Sequence, residues 1–203
     1  MRVCESNKKI FGLYELAVGG LGALSVPSVL LSITFFFAYG SIPDLFLPSF
    51  RDTLSFVFLI LSLILGLVLH EFSHMVVLAN RGVKNISIGI SISGIWGGFV
   101  KAEVSPETYS EIKLPFYSSG LGSNLLIFLL FLPFARINPY LHIISAVNFW
   151  LLVMNAIPAP LMDGGKVFEA IFKRLGLERY MELISAGVLL LWLLIIILRV
   201  FSF

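Results

Sequence analysis

The chain has 203 residues, of which 58% are hydrophobic and 13% are charged. Soluble globular domains carry about 25% charged residues, so this composition, with 19 Phe residues, excludes a water-soluble core of this size. The formal net charge is only +2, and the sequence has no basic cluster with interleaved aromatic residues, so we expect no nucleic-acid partner. The sequence predicts an integral membrane protein surrounded by a lipid bilayer.

Five apolar runs are long enough to predict transmembrane helices, each of which needs about 20 residues. The predicted fold is an all-α polytopic membrane protein with about five transmembrane helices, forming a single domain over residues 1–203. A further apolar stretch, residues 13–24, could be a signal sequence, but Glu15 interrupts it and no clear cleavage site follows. The predicted spans are residues 26–42, 54–78, 117–134, 140–157 and 183–200.

The segment between the second and third predicted spans has the pattern of a strand. Apolar and small polar residues alternate over residues 85–93, which is typical of a β-strand. Gly94 is a candidate turn, and residues 96–104 could return as a second strand. The region 85–104 therefore predicts a small β-hairpin. It could simply close the loop, or it could offer a sheet edge that captures an extended peptide by strand addition.

The distribution of Lys and Arg predicts the orientation, because these residues are enriched in cytoplasmic loops. With the N-terminus in the cytoplasm, only Arg51, Arg136 and Arg199 fall on the outer side, and every other Lys and Arg falls on the cytoplasmic side. We therefore expect an integral protein of the cell membrane with its hairpin on the cytoplasmic side and its C-terminus outside.

Two of the three histidines lie four residues apart in the second predicted span, in the sequence His70-Glu71-Phe72-Ser73-His74. Positions i and i+4 share one face of a helix, so both imidazoles could bind one zinc ion. The Glu71 carboxylate lies on the neighbouring strip, where it could take a proton from water. The alternative is a hydrogen-bonded core cluster without metal, although ionisable groups buried in a membrane are costly unless paired or metal-bound.

A third protein ligand is expected, because catalytic zinc sites usually have three. Asp163 is the leading candidate among the acids near the cytoplasmic side. It follows the fourth predicted span in residues 155–165, Asn-Ala-Ile-Pro-Ala-Pro-Leu-Met-Asp-Gly-Gly. The prolines break the helix, and irregular backbone at membrane depth is tolerated where it lines a cavity. The alternative is that Asp163 only caps the helix that follows.

The two motifs, in this order and on separate spans, resemble the site-2 protease family of intramembrane zinc metalloproteases. Two shorter elements are similar to the family as well. One is Trp-Gly-Gly-Phe-Val-Lys at residues 96–101, and the other is Ser-Gly-Leu-Gly-Ser-Asn at residues 119–124, where Leu121 replaces the family's usual Pro. The resemblance covers residues 68–170.

The resemblance implies a set of roles for these residues. One zinc ion would be bound by His70, His74 and Asp163. Glu71 would be the general base, and Asn155 and Asn124 would position the peptide or stabilise the oxyanion. The implied substrate is a transmembrane segment of another membrane protein.

Two other functions are compatible with the histidine motif. A membrane-anchored protease of the gluzincin type would need a downstream glutamate as third ligand, for which Glu169 or Glu178 would serve. A non-enzymatic protein that transports or stores zinc would use the histidines without needing Glu71 as a base.

Overall fold

The computed structural model describes residues 7–91 and 97–201. Over those ranges the chain forms six α-helices and one two-stranded sheet, joined by loops and short 3₁₀ turns. The helices are α1 (Lys8–Tyr39), α2 (Thr53–Asn80), α3 (Pro106–Phe131), α4 (Pro139–Ala156), α5 (Asp163–Arg174) and α6 (Met181–Phe201). The strands β1 (Ser87–Ser91) and β2 (Gly97–Lys101) lie between α2 and α3 in the chain.

Five of these helices, α1 to α4 and α6, are long and apolar enough to cross a membrane. The prediction of about five transmembrane helices is confirmed at that level. Large apolar side chains on the outer faces of α2 and α6 are exposed, among them Phe56, Leu61 and Leu194, and apolar surface of this extent indicates contact with lipid. The remaining helix, α5, has 12 residues.

The first helix starts much earlier than the sequence predicted. The predicted span began at residue 26, whereas α1 begins at Lys8 and includes the stretch 13–24. Glu15, which interrupts that stretch, is buried and accepts hydrogen bonds from Arg81 Nη2 at 2.6 Å and Asn80 Nδ2 at 3.0 Å. Because these partners offset the cost of burying the carboxylate, Glu15 does not interrupt the helix.

Three other predicted helix ends were wrong. The first helix ends at Tyr39, short of the predicted residue 42, because Gly40 adopts a left-handed conformation with φ of 70° that terminates helices. The third begins at Pro106 and not at residue 117, because the Ser105 side chain caps it by accepting from the Thr108 amide at 3.3 Å. The third helix ends at Phe131, three residues before the predicted residue 134, and a 3₁₀ turn over Leu132–Phe134 follows it. The other predicted ends lie within two residues of the observed ones.

The central helix of the bundle is α3, which contacts α1, α2, α4 and α5. Its crossing with α1 is close because glycines lie at the contact. A Cβ atom added at Gly22 would lie 1.7 Å from the carbonyl oxygen of Ser118, and one added at Gly122 would lie 1.8 Å from that of Val18. Small residues allow membrane helices to approach in this way. The apolar core around the crossing includes Val26, Leu121, Phe149, Leu152 and Val167.

The strands β1 and β2 pair antiparallel, with Ser87 opposite Lys101 and Ser91 opposite Gly97. The predicted hairpin is thus confirmed as a two-stranded antiparallel sheet. The predicted turn at Gly94 and the start of the second predicted strand at Trp96 lie outside the described residues. Because β2 contacts α2, the sheet lies beside the helix that carries the histidine motif.

Candidate metal centre

The histidine motif lies in the C-terminal half of α2, with the side chains of His70, Glu71 and His74 directed into the bundle. His70 and His74 are each 4% exposed and Glu71 is 8% exposed. The two imidazole rings are nearly perpendicular, with centroids 4.8 Å apart, and their Nε2 atoms are 3.1 Å apart. The helical spacing therefore brings the two ring nitrogens to one point, as the sequence predicted.

Asp163, the first residue of α5, reaches the same point from the other side. Its Oδ2 atom lies 2.9 Å from His70 Nε2 and 3.2 Å from His74 Nε2. The turn before it is compact: Cβ atoms added at Gly164 and Gly165 would lie 2.3 and 2.0 Å from backbone carbonyl oxygens of the preceding segment. The glycines thus let the backbone fold back tightly enough for the carboxylate to meet the imidazoles.

The other ring nitrogens of the two histidines face hydrogen-bond acceptors. His74 Nδ1 lies 2.7 Å from the backbone carbonyl oxygen of Phe116, and His70 Nδ1 lies 2.7 Å from Asn124 Oδ1. A carbonyl oxygen can only accept, so Nδ1 of His74 carries the proton. A neutral imidazole has one proton, and its Nε2 is then an acceptor.

The same conclusion holds for His70, because two asparagines define which way the Asn124 amide points. Asn148 Nδ2 donates to the carbonyl of Ile144 at 2.9 Å, which leaves Asn148 Oδ1 as an acceptor. Asn124 Nδ2 donates to that oxygen at 3.1 Å and is 3.4 Å from the Gly66 carbonyl. Asn124 Oδ1 therefore accepts from His70 Nδ1, and in the neutral imidazole His70 Nε2 then has no proton.

When both imidazoles are neutral, three acceptor atoms thus converge, and each carries a lone pair directed at the others. Asp163 Oδ2 is buried without a hydrogen-bond donor, although two ring nitrogens lie within 3.2 Å of it. Acceptors held this close repel one another unless a cation lies between them. Among the described residues, His70, His74 and Asp163 are the group that could hold a metal ion.

The donor set and its spacing fit zinc. Nitrogen and carboxylate ligands bind zinc at about 2.0–2.1 Å in tetrahedral sites, which separates neighbouring ligand atoms by about 3.3–3.4 Å. The three observed separations, 2.9, 3.1 and 3.2 Å, are slightly shorter. Each imidazole also has its other ring nitrogen, Nδ1, in position to donate to an oxygen, as in most zinc-binding histidines.

Two glycines form the walls next to these side chains. A Cβ atom added at Gly120 of α3 would lie 2.6 Å from atoms of both imidazoles. One added at Gly98 of β2 would lie 2.4 Å from Cγ and 2.6 Å from Oε1 of Glu71. The strand therefore covers the glutamate, and α3 covers the histidines.

The two predicted asparagines have different surroundings. Asn124 is fully buried and contacts His70 on the side away from Asp163, so it orients the imidazole. Asn155 is half-buried, and its Nδ2 donates to the Leu151 carbonyl of the same helix at 2.9 Å. The structure thus brings Asn124 into contact with the predicted ligands, while the contact it gives Asn155 is within α4.

Sequence reasoning missed Asn148 and Phe116. Asn148 could have been found, because a polar residue inside an apolar span needs a partner at membrane depth. Phe116 acts mainly through its backbone carbonyl, which no residue type reveals.

Comparison of the chain with protein-family models, curated proteins and solved structures gives no match.

Proposed function

We propose that this chain is an intramembrane zinc metalloprotease that hydrolyses peptide bonds within or near transmembrane segments of membrane proteins. The observation that carries the proposal is the convergence of three potential metal ligands, His70 Nε2, His74 Nε2 and Asp163 Oδ2, within 3.2 Å of one another. A potential base, Glu71, lies next to His70 on the same helix. Of the five long apolar helices, α2 supplies the histidines and the base.

In this proposal His70, His74 and Asp163 hold one zinc ion. When bound, zinc supplies Lewis-acid polarisation of the scissile carbonyl and of water. Glu71 accepts a proton from the attacking water as the water oxygen bonds to the carbonyl carbon. It then delivers that proton to the amide nitrogen as the carbon–nitrogen bond breaks. The products are a carboxylic acid and an amine.

Oxyanion stabilisation needs a further hydrogen-bond donor. Asn155 has two amide protons, of which one bonds the Leu151 carbonyl, so the other is the candidate donor. Asn124 is less suited to the predicted contact with the peptide, because its amide nitrogen is directed to Asn148 and Gly66.

The sheet gives the substrate a way to be extended, which hydrolysis requires because a helix hides its peptide bonds. β2 lies against the base at Gly98, so a peptide added to this sheet would be held beside the helix that carries Glu71. Prolines at alternate positions of Ile86–Ile92 should therefore lower cleavage without lowering zinc content. The contrary result, unchanged cleavage, would remove this part of the proposal.

The proposed orientation follows from the distribution of Lys and Arg. The N-terminus, the sheet and α5 lie on the cytoplasmic side of a cell membrane. Water then reaches the site from the cytoplasm.

A gluzincin-type site is less consistent with the geometry. Its third ligand would be a glutamate, but the Glu169 carboxylate pairs with Lys113 and Lys166, and Asp163 already lies between the histidines. Glu178 is exposed on a 3₁₀ turn.

The proposal is tested by incubating purified wild-type protein in detergent with model single-span substrates, alongside Glu71→Gln, and measuring zinc content by mass spectrometry. We expect wild type to cut within the span. Glu71→Gln should keep its zinc and lose about 10²–10⁴-fold in rate, which is the usual contribution of a general base.

Two results would contradict the proposal. In the first, wild type and Glu71→Gln both hold zinc but cleave none of a broad panel of single-span substrates. That result would favour zinc transport or storage. Wild type that binds no divalent metal would make the histidines a core cluster.

A further inference from the structure

Asn148 has no role in the chemistry proposed above, yet it is one of the most completely buried polar residues in the described part of the chain. It is 1% exposed, in the middle of α4. It lies seven positions before Asn155, and its amide does not reach the imidazoles directly. A carboxamide at such a position needs partners for all its polar atoms, and those partners indicate what it does.

We propose that Asn148 is a positioning residue that sets the tautomer of His70, through Asn124, and thereby keeps His70 Nε2 ready to bind metal. The inference rests on the metal-binding part of the proposed function and is independent of whether the chain hydrolyses peptides. It assigns to α4, which contributes no metal ligand, a specific control over a ligand on α2.

The chain of hydrogen bonds from Asn148 to His70 begins at a backbone carbonyl, which can only accept. The Ile144 carbonyl can only accept, so the Asn148 amide nitrogen must face it, at 2.9 Å. Asn148 Oδ1 is then directed at Asn124 Nδ2, at 3.1 Å. If the Asn148 amide were rotated by half a turn, oxygen would face oxygen at Ile144 and nitrogen would face nitrogen at Asn124.

This chain of hydrogen bonds ends at the His70 imidazole. An Asn124 amide held in this direction offers its oxygen to His70 Nδ1 at 2.7 Å. The opposite direction would offer an N–H, His70 would respond by carrying its proton on Nε2, and that proton would point at Asp163 and His74. A protonated Nε2 cannot bind a metal, so the two directions of one amide correspond to a competent and an incompetent site.

The Gly66 carbonyl also favours the competent direction, but at 3.4 Å from Asn124 Nδ2 it is the longer contact. We therefore expect loss of Asn148 to weaken the preference and not to reverse it completely. The effect on metal affinity should resemble that of other residues that orient a ligand, a loss of about 10–100-fold.

Three variants of the full chain test this inference. Asn148→Leu keeps approximate size and removes both polar contacts. Asn148→Asp keeps the size, and its neutral acid can donate to the Ile144 carbonyl while it offers an acceptor oxygen to Asn124, so it serves as the conservative variant. Ser145→Ala is the matched control, because Ser145 is also fully buried on α4 but its hydroxyl donates to the Phe128 carbonyl at 3.1 Å.

The primary readout is the ¹⁵N spectrum of histidine-labelled, metal-free protein at pH 8, in which the protonated and unprotonated ring nitrogens are distinguished directly. The signals of the third histidine are assigned with His142→Gln. Wild type, Asn148→Asp and Ser145→Ala should show His70 protonated at Nδ1, and Asn148→Leu should show a mixture of the two tautomers. The second readout is zinc affinity by competition with a chelating dye, for which Asn148→Leu should be about 10–100-fold weaker.

Unchanged His70 signals and unchanged zinc affinity in Asn148→Leu would overturn the inference. A loss of affinity that Ser145→Ala reproduces would also overturn it, because the effect would then be general to α4. If Asn148→Leu does not fold, the spectrum of Asn148→Ser, which is smaller and still polar, replaces it with the same expected mixture. A wild-type chain that binds zinc but cleaves nothing contradicts the protease proposal and leaves this test unaffected.

Discussion

Phe116 holds His74 in two ways at once. Its ring stacks on the imidazole with a centroid distance of 4.6 Å and an interplanar angle of 26°. Its carbonyl oxygen accepts a hydrogen bond from His74 Nδ1, with the two atoms 2.7 Å apart. The ring restricts the plane of the imidazole, while the carbonyl determines its tautomer. Together with the Asn124 contact to His70, this leaves both Nε2 atoms directed at Asp163.

The identity of the third ligand can be tested by metal content. Asp163→Ala removes an acceptor that lies 2.9 and 3.2 Å from the two Nε2 atoms. We expect it to lose zinc, since two imidazoles are left to hold the ion. Glu169→Gln should retain zinc, because the Glu169 carboxylate is paired with Lys113 and Lys166. The zinc content of both purified variants distinguishes the two candidates. Zinc lost from Glu169→Gln and retained by Asp163→Ala would assign the third ligand to Glu169.

Two glycine substitutions should separate metal binding from catalysis. Gly120→Ala would bring Cβ within 2.6 Å of both imidazoles, and overpacking of this kind costs about 1–3 kcal/mol. If that cost falls on the bound geometry, zinc affinity drops about 10–100-fold. Gly98→Ala would instead press on the Glu71 side chain at 2.4 Å. It should keep zinc and lower the cleavage rate at least about tenfold, as displacement of a general base does.

Gly20→Ala is the matched control for this pair, because a Cβ atom at Gly20 meets nothing within 4 Å. In a helix interior this change should stabilise the fold by about 0.5–1 kcal/mol and leave both properties unchanged. Zinc affinity and cleavage rate are measured for all three variants. Equal effects of Gly98→Ala and Gly120→Ala on zinc would show that the strand and α3 do not act on separate side chains.

The parts of the site that could be predicted are those fixed along the chain. His70 and His74 share a helix face however the helices of the bundle pack. The prolines before Asp163 and the glycines after it indicate a break in the helix and a tight turn. The direction of a side chain across a helix crossing depends on how the helices pack. For this reason Asn124 was predicted as a contact of the peptide and is found behind His70.

The error in the first helix has a similar origin. Glu15 counts against a transmembrane run when the run is considered by itself. Its partners, Arg81 and Asn80, lie at the end of α2, more than sixty positions away in the chain. A tertiary contact of this range leaves no periodicity in the sequence, so the helix could be found only once α1 and α2 had been placed together.

The ion pair between Glu169 and Lys113 should give stability a small dependence on pH. Hydrogen bonding to Lys113, opposed by burial and aided by the charges of Lys113 and Lys166, holds the pKa of the Glu169 carboxyl below its ordinary value. A carboxyl whose pKa is lowered by folding stabilises the fold above its unfolded pKa, and this contribution is lost as pH falls through the folded pKa.

We therefore expect Glu169→Gln to be less stable than wild type at pH 7 by under about 1 kcal/mol, because the side chain is 37% exposed and solvent screens the pair. The difference should shrink to nothing as pH falls below the ordinary range of a glutamate. Unfolding in detergent at several pH values measures it. Glu178→Gln, at an exposed carboxylate, is the control, and a Glu169→Gln deficit that grows on acidification would contradict the sign.

The crossing of α1 and α3 makes a prediction about additivity. Gly22→Ala would place Cβ 1.7 Å from the Ser118 carbonyl oxygen, and Gly122→Ala would place it 1.8 Å from that of Val18. Backbone atoms cannot rotate away as a side chain can, so each substitution forces the helices apart. Each should lower the free energy of unfolding by at least about 1–3 kcal/mol.

Once one alanine has separated the helices, the second finds the space already open. The double variant should therefore lose less stability than the sum of the two single variants, with a coupling energy of about 0.5–3 kcal/mol. The coupling energy is measured from the unfolding of the two single variants and the double variant. Gly12→Ala is the control, because a Cβ atom at Gly12 meets nothing within 4 Å. Strict additivity would mean that the two glycines relieve independent contacts, and that α1 and α3 can adjust at one point of the crossing without moving at the other.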